Sequence, residues 1–392
     1  MIFAIKKFTK PFIFIAFVLW GVNANAQVSL LQNTIDKLES FKSFSYQSIN
    51  KRKEFFTIDT VIIHSNELFL KAPADKTFGY LFRLETVFKT EKFIRTDLYN
   101  GQDLAFISPE DSTFYSQKAP PVFFEQSLLC SLKFLKAFLE TKPLSKIIKT
   151  NDTTINGIAN AHIIVIVSDT IINKEHLYSR RDFFIDKQTG VPSFVTMRGR
   201  NKSSFGDAIE DFYDEVRYFD YKFDQAGIDI ATFTVPKGFH PPLKGPAPPA
   251  LLAPGTIAPN WTLYDANGKK ASLAQMKGKV VLLDFYYIGC YGCMLSLKPL
   301  NAMREKYNNM NVVIASITER DNEKAVLAFE KQYHIKYPGY INAADIVKSY
   351  HVNAFPTFYF IDKEGKIANV TVGYTDDFEE KATSIIDGLL NN

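Results

Sequence analysis

The sequence predicts two folded domains in series, an α+β domain rich in strands followed by an α/β domain. Three observations predict this. A chain of 392 residues is too long for one ordinary domain and comfortable for two. The segment from Val235 to Pro259 holds Pro236, Pro241, Pro242, Pro246, Pro248, Pro249, Pro254 and Pro259, with Gly238, Gly245 and Gly255. Such a stretch is extended and semi-rigid, and cannot be a helix or an inner strand. Before it the chain reads as a helix and then many strands; after it strand and helix alternate, the pattern of a sheet covered on both faces.

The first 26 residues read as a secretory signal peptide. Lys6, Lys7 and Lys10 form a basic start, Pro11 to Val22 is apolar, and Ala24-Asn25-Ala26 is a small-x-small cleavage signal. The mature chain is expected to begin near Gln27, in the periplasm. The alternative is an uncleaved anchor, but the apolar stretch is too short to span comfortably. No cysteine lies near the cleavage site to carry a lipid, and nothing later looks transmembrane. No stable membrane span is expected after cleavage.

The first domain is expected over residues 27–239. Leu31, Ile35, Leu38 and Phe41 have helical spacing. Phe44 to Gln47 alternates; Phe78 to Val87 and Phe93 to Tyr99 are aromatic and β-branched, as half-buried strands are. Asn100-Gly101 before Leu104 to Ile107 is a strong short hairpin signal. A helix is predicted over about Phe124 to Glu140. Strands resume at Ile163 to Val167 and Phe183 to Ile185. The turn Asp186 to Gly190 leads into Pro192 to Met197, and a last strand runs from Tyr213 to Phe223.

Residues 240–257 are read as linker and 258–392 as the second domain. Val280 to Phe285 is a strand, Tyr291 to Tyr307 a helix that Pro299 should kink, and Val312 to Ile317 a strand. Helices are predicted over Glu323 to Tyr333 and Ala344 to Tyr350. Thr357 to Ile361, the turn Asp362 to Gly365 and Ile367 to Val372 make a hairpin. Phe378 to Leu390 closes the chain as a helix, begun by the acidic run Asp376-Asp377-Phe378-Glu379-Glu380 and capped at Thr375, Asp376 or Asp377.

Composition excludes several classes of function. The formal net charge of +4 argues for neither nucleic acid nor an acidic partner, and no basic cluster with interleaved aromatics appears. Three cysteines rule out a disulfide scaffold. Cys130, on an apolar helix-like face, reads as a small buried hydrophobe rather than a redox group.

Cys290 and Cys293 carry the chemistry. A C-x-x-C where a strand turns into a helix puts the first thiol at a helix N-terminus, where partial positive charge favours thiolate. The second thiol, one turn later, is near enough to close a disulfide. Other chemistries fit poorly. A structural zinc would need about four ligands, and His334 and His351 lack the spacing; both read as surface or packing residues. Haem attachment needs His after the second cysteine, where Met294 stands. A peroxidase of the peroxiredoxin type would want Thr or Ser at Tyr287. No metal and no cofactor are expected. Asp284 lies inside an apolar strand; burial should raise its pKa toward neutrality and suit it to accept a proton.

With Ala258-Pro259-Asn260-Trp261-Thr262-Leu263, Gly278 to Phe285, Cys290-Tyr291-Gly292-Cys293 and Phe355-Pro356-Thr357-Phe358-Tyr359-Phe360-Ile361-Asp362, residues from about Pro254 to Asn392 closely resemble the thioredoxin fold, specifically the exported TlpA/ResA-like thiol–disulfide oxidoreductases. The resemblance implies Cys290 as nucleophile and Cys293 as resolving thiol, joined as a redox-active disulfide. It implies Asp284 as the buried acid under the site and Pro356 as a cis-proline that leaves the Phe355 backbone free to pair with substrate. Tyr291 and Gly292 would line the same substrate-binding surface. Three departures stand out. Gly289 replaces the usual tryptophan, removing an apolar cover and loosening the site. Tyr291-Gly292 is an atypical dipeptide, which bears on the potential. Ser296 stands where some ResA-like members place an acid.

The first domain resembles the half-barrel of LolA-like lipoprotein carriers, through the leading helix, Tyr99-Asn100-Gly101-Gln102, the Phe184 to Pro192 signature and the closing Phe233 to Phe239. That resemblance implies a curved antiparallel sheet, with helices across a concave face that could hold an apolar ligand; the plain alternative is a packed sheet without cargo. The expected function is reduction of protein disulfides, with protein dithiols and disulfides as partners. Two alternatives stand beside it: a carrier of lipid or another apolar ligand with an auxiliary thioredoxin domain, and the same thiol chemistry run in the oxidising direction.

Overall fold

The structure, a computed structural model, describes residues 27–53, 60–88, 93–118, 127–206, 208–243, 245 and 247–391. The expected signal segment 1–26 and the first predicted residues of the internal helix, Phe124 to Gln126, lie outside them. Among the described residues no helix is long and apolar enough to cross a membrane. The chain divides into two compact units, the first within Met1–Arg52, Thr60–Arg200 and Phe212–Leu243, the second including Asn201–Asp211 and Lys244–Asn392. Residues 201–211 thus cluster with the second unit, although they fall in the stretch assigned on sequence to the first domain.

In the first unit, helix α1 occupies residues 27–40. Twelve strands follow: β1 (Ser43–Lys53), β2 (Thr60–Lys71), β3 (Tyr80–Phe88), β4 (Phe93–Tyr99), β5 (Asp103–Ser108), β6 (Thr113–Lys118), β7 (Ile147–Lys149), β8 (Thr153–Ile155), β9 (Ile158–Ile172), β10 (Glu175–Asp186), β11 (Pro192–Lys202) and β12 (Ile209–Phe223). Helix α2 (Leu128–Thr141) intervenes between β6 and β7. The strands form one large sheet in the order β6-β5-β4-β3-β2-β1-β12-β11-β10-β9-β7, with β8 also on β9. Pairing is antiparallel from β2 to β6 and from β9 to β11. In β1, Phe44, Tyr46, Ser48 and Asn50 are buried while Ser45, Gln47 and Ile49 between them are more open, the period of two that a one-sided sheet requires.

The two helices fill that buried face. Leu31, Ile35 and Leu38 of α1 and Leu128, Leu129, Leu132, Leu135 and Phe138 of α2 pack with Phe44, Tyr46, Phe69 and Phe82 in one core. Helix α2 begins where the Ser127 side chain accepts the Cys130 amide at 3.2 Å, satisfying one of the first-turn donors. Cys130 itself is half-buried rather than buried, because Leu129 and Ser131 beside it take the inward positions.

The second unit adds the small hairpin β13 (Thr262–Tyr264) and β14 (Lys270–Ser272), and a five-stranded sheet of β15 (Val280–Phe285), β16 (Val312–Ile317), β17 (Gly339–Tyr340), β18 (Thr357–Ile361) and β19 (Ile367–Val372). The order is β17-β16-β15-β18-β19, with β15, β16 and β17 parallel and β18 and β19 antiparallel to their neighbours. Its helices are α3 (Tyr291–Lys306), α4 (Glu323–Tyr333), α5 (Ala344–Ser349) and α6 (Phe378–Asn391). This arrangement is the thioredoxin-like fold that the resemblance implies. Every residue of β15 is buried, and alternation sends its side chains to two cores. Val281, Leu283 and Phe285 pack with Trp261, Val347 and Tyr350. Val280 and Leu282 pack with Leu300 and Met303 of α3 and Phe378 and Ile386 of α6. Leu251 and Leu252, inside the predicted linker, already pack on the first of these cores, and the Gly255 amide donates to the Ile367 carbonyl at 2.7 Å.

Candidate active site

Strand β15 delivers the chain to a short loop, and α3 starts immediately after it. Cys290 is the N-cap of α3, with extended backbone, and its Sγ accepts the Cys293 amide at 3.2 Å. The first sulfur thus lies against the unsatisfied amides of the helix start, where a thiolate is stabilised. One turn on, Cys293 faces inward, and the two sulfurs are bonded, with Cα atoms 5.2 Å apart. Cys293 is 3% exposed and Cys290 6%, between exposed Gly289 and Tyr291. Gly289 has φ +93°, a conformation that glycine takes without strain. The loop before it is anchored: one Asp321 oxygen accepts the Ile288 amide at 3.0 Å and the Thr318 hydroxyl at 2.7 Å.

Asp284 shares the even-numbered face of β15 with Val280 and Leu282, the face covered by α3. It is 1% exposed. In register with it on β16 stands Ser316, whose hydroxyl donates to Asp284 Oδ2 at 2.7 Å. Asp284 Oδ1 has no hydrogen-bond partner among the described residues. Burial lifts this carboxyl to about 7, against the opposing pull of the Ser316 hydrogen bond. Ser316 escaped the sequence reading, although a lone serine inside Val312 to Ile317 was a visible signal.

The Phe355–Pro356 bond, just before β18, is cis. Pro356 borders the start of α3: a Cβ placed on Gly292 would lie 3.0 Å from the Pro356 Cδ. Glycine is therefore the residue that lets helix and proline approach so closely. Phe355 is half-buried, with the Tyr287 ring edge-on at 5.4 Å and the Arg320 guanidinium over both rings at 4.5 and 5.1 Å. The fold brings Cys290, Cys293, Tyr291, Gly292 and Pro356 to one end of the sheet, and Asp284 is buried in β15, the strand that leads to them. His334 and His351 stay apart: His334 caps the end of α4 in a left-handed conformation, and His351 Nδ1 pairs with the Ala250 carbonyl at 2.7 Å.

One expectation is overturned. With Gly289 before it, Cys290 is not left exposed, because other groups cover it. Ala208 is 3% exposed and packs with Cys290, Cys293, Met294 and Leu297, and Phe205 lies at the margin of that cluster. No sequence signal links residues 201–211 to the cysteine motif. Ser296, in place of the acid, is fully buried and donates to the Cys293 carbonyl at 2.8 Å.

Comparison with known proteins converges on this unit. The AhpC/TSA family matches residues 254–370. The thiol-disulfide oxidoreductase ResA of Bacillus cereus is 36% identical over 120 residues, 30% of this chain and 69% of that protein. ResA of Bacillus subtilis is 29% identical over 123 residues, 31% of this chain and 69% of that protein. A solved structure, a putative thiol:disulfide interchange protein DsbE from Chlorobium tepidum, is 25% identical with a TM-score of 0.34, covering 36% of this chain and 99% of that one.

Proposed function

We propose, from the premise that this chain belongs to the ResA-like family of thiol–disulfide oxidoreductases, that it reduces disulfides of exported proteins through Cys290 and Cys293. The observation that carries this reading is the bonded pair at the start of α3, with Cys290 Sγ held by the Cys293 amide. In the reduced enzyme the Cys290 thiolate attacks one sulfur of a substrate disulfide. The substrate S–S bond breaks, its distant sulfur leaves and takes a proton from solvent, and a mixed disulfide remains. Cys293 then gives its proton to Asp284 and attacks Cys290 Sγ; the mixed disulfide breaks, and the second substrate sulfur leaves as a thiolate that takes a proton from solvent. Two electrons have passed from the cysteine pair to the substrate, and an external dithiol must return them.

In this reading an extended substrate segment lies along the Phe355 backbone beside Pro356, flanked by Tyr291 and Gly292. Residues 1–26 direct export to the periplasm, and the large N-terminal sheet with α1 and α2 is a LolA-like half-barrel. The aromatic and leucine side chains of α1 and α2 on the buried face of that sheet support a packed domain over an open apolar carrier.

The test is insulin-disulfide reduction with dithiothreitol as electron source. Turnover should vanish in Cys290→Ser, and Cys293→Ser should accumulate a mixed disulfide visible by mass. Undiminished turnover in Cys290→Ser would refute the proposal.

A further inference from the structure

The sheet of the first unit has a second face, away from α1 and α2. Along β9 and β10, Ile163, Val165, Phe183 and Ile185 turn to the helix-covered core, so Ile164, Ile166, Arg180 and Asp182 between them turn to the other side. Strand β7 follows the same alternation: Ile147 joins the core, and Ile148 is in register with Ile164 on the far face. A cavity of about 330 Å³ opens there, lined by Ile148, Ile164 and Ile166 and by Tyr178, Arg180 and Arg198.

Arg180 and Arg198 stand directly opposite each other on β10 and β11. Like charges in that position repel, and the Nε atom of each is buried. Arg180 has a counterion, with its Nε 3.3 Å from Asp182 Oδ2. Asp182 is already shared: His162 Nε2 lies 2.9 Å from one oxygen, and the Thr196 hydroxyl donates to the other at 3.3 Å. Arg198 has none. Its guanidinium lies over the Tyr213 ring at 5.6 Å, its Nε has no hydrogen bond, and no carboxylate is within ion-pair distance among the described residues. Asp169, the acid in the lining, is taken by His176 Nε2 at 2.8 Å. A partly buried cation without a counterion is costly, and a carboxylate between the two guanidiniums would supply the missing charge and accept hydrogen bonds from both. The isoleucines beside it suit a hydrocarbon tail. At about 30 Å³ for each water-sized group, the cavity has room for about eleven, which octanoate fills and a two-chain lipid exceeds.

We propose that this cavity binds a free single-chain carboxylate, its headgroup between Arg180 and Arg198 and its chain on Ile148, Ile164 and Ile166. The site belongs wholly to the first unit and needs neither cysteine of the redox pair. It is also distinct from the helix-packed face, where the core leaves no open apolar groove for cargo.

The experiment is isothermal titration of the full chain with octanoate, and separately with octanol and acetate, which carry the tail and the headgroup alone. Octanoate should bind saturably at one site, with octanol and acetate each at least about 10-fold weaker. Arg198→Gln should weaken octanoate about 10- to 100-fold and leave octanol unchanged. Ile148 is 42% exposed, so Ile148→Ser tests the tail without disturbing the core, and it should weaken octanoate about 3- to 10-fold. Absence of saturable octanoate binding overturns the proposal, as does octanol binding as tightly as octanoate or an unchanged octanoate affinity in Arg198→Gln. Should Arg198→Gln fail to fold, the octanol comparison on the parent and the Ile148→Ser titration decide, equal affinities in both overturning it.

Discussion

Replacing Asp284 with asparagine separates two consequences of burying a carboxyl. Its folded-state pKa is raised to about 7 from an ordinary 3.8. Between those values the unfolded chain ionises and the folded one does not, so this group's share of stability is complete below about pH 4 and drains away as pH rises to about 7. Asp284→Asn should therefore be more stable than the parent at pH 8, by at most about 4 kcal/mol, and indistinguishable from it near pH 4. Glu67 and Asp97 are also raised by burial, so urea denaturation must be read as the difference between variant and parent. The same variant should turn over substrate about 100-fold more slowly at pH 7, through slower release of the mixed disulfide. Equal rates would remove Asp284 as proton acceptor. At this scale the motif residues were legible because their chemistry fixes their spacing: Cys290 to Cys293, Asp284 within an apolar strand, Pro356 before one. Ser316 was legible in principle. Phe205 and Ala208 were not, because nothing local distinguishes them from any other hairpin tip.

Helix α4 offers a test of the element rules. Its N-cap, Asn322, accepts the Ala325 amide at 3.0 Å. Asn322→Ala should cost about 1 kcal/mol in denaturant unfolding, and no loss would mean that water replaces the cap freely. In the core, replacing the fully buried Leu135 of α2 with alanine (Leu135→Ala) should cost about 2–5 kcal/mol, through lost burial and the cavity left behind. In the second unit the strands β15, β16, β18 and β19 have the bounds expected from sequence, because unbroken apolar runs end at clear turns. In the first unit β2 was missed: its buried Glu67, bonded to Tyr46 and Ser48, interrupts the apolar alternation that marks a strand. Strands β9 and β10 extend well past their expected ends. Their connecting residues Asn173 and Lys174 both take positive φ without a glycine to announce the turn.

Over the whole chain, two large parts obey different rules. The alternating second unit was readable in order and type, whereas the twelve-stranded sheet was readable as strand-rich without its count or order. The proposed export predicts a covalent consequence: protein recovered from the periplasm should begin at Gln27 by intact mass, and a retained Met1 would contradict cleavage. The account rests most heavily on the Cys290–Cys293 pair acting as a reversible two-electron couple. Its equilibrium reduction potential in the full chain, read by alkylation and mass after incubation in defined thiol–disulfide buffers, tests that directly. A single two-electron midpoint near the thioredoxin value of about −270 mV, abolished in Cys290→Ser, is the predicted result. A pair that stays wholly bonded or wholly open across every buffer would contradict it, while a midpoint near the strongly oxidising value of about −120 mV would keep the couple and overturn the reducing direction.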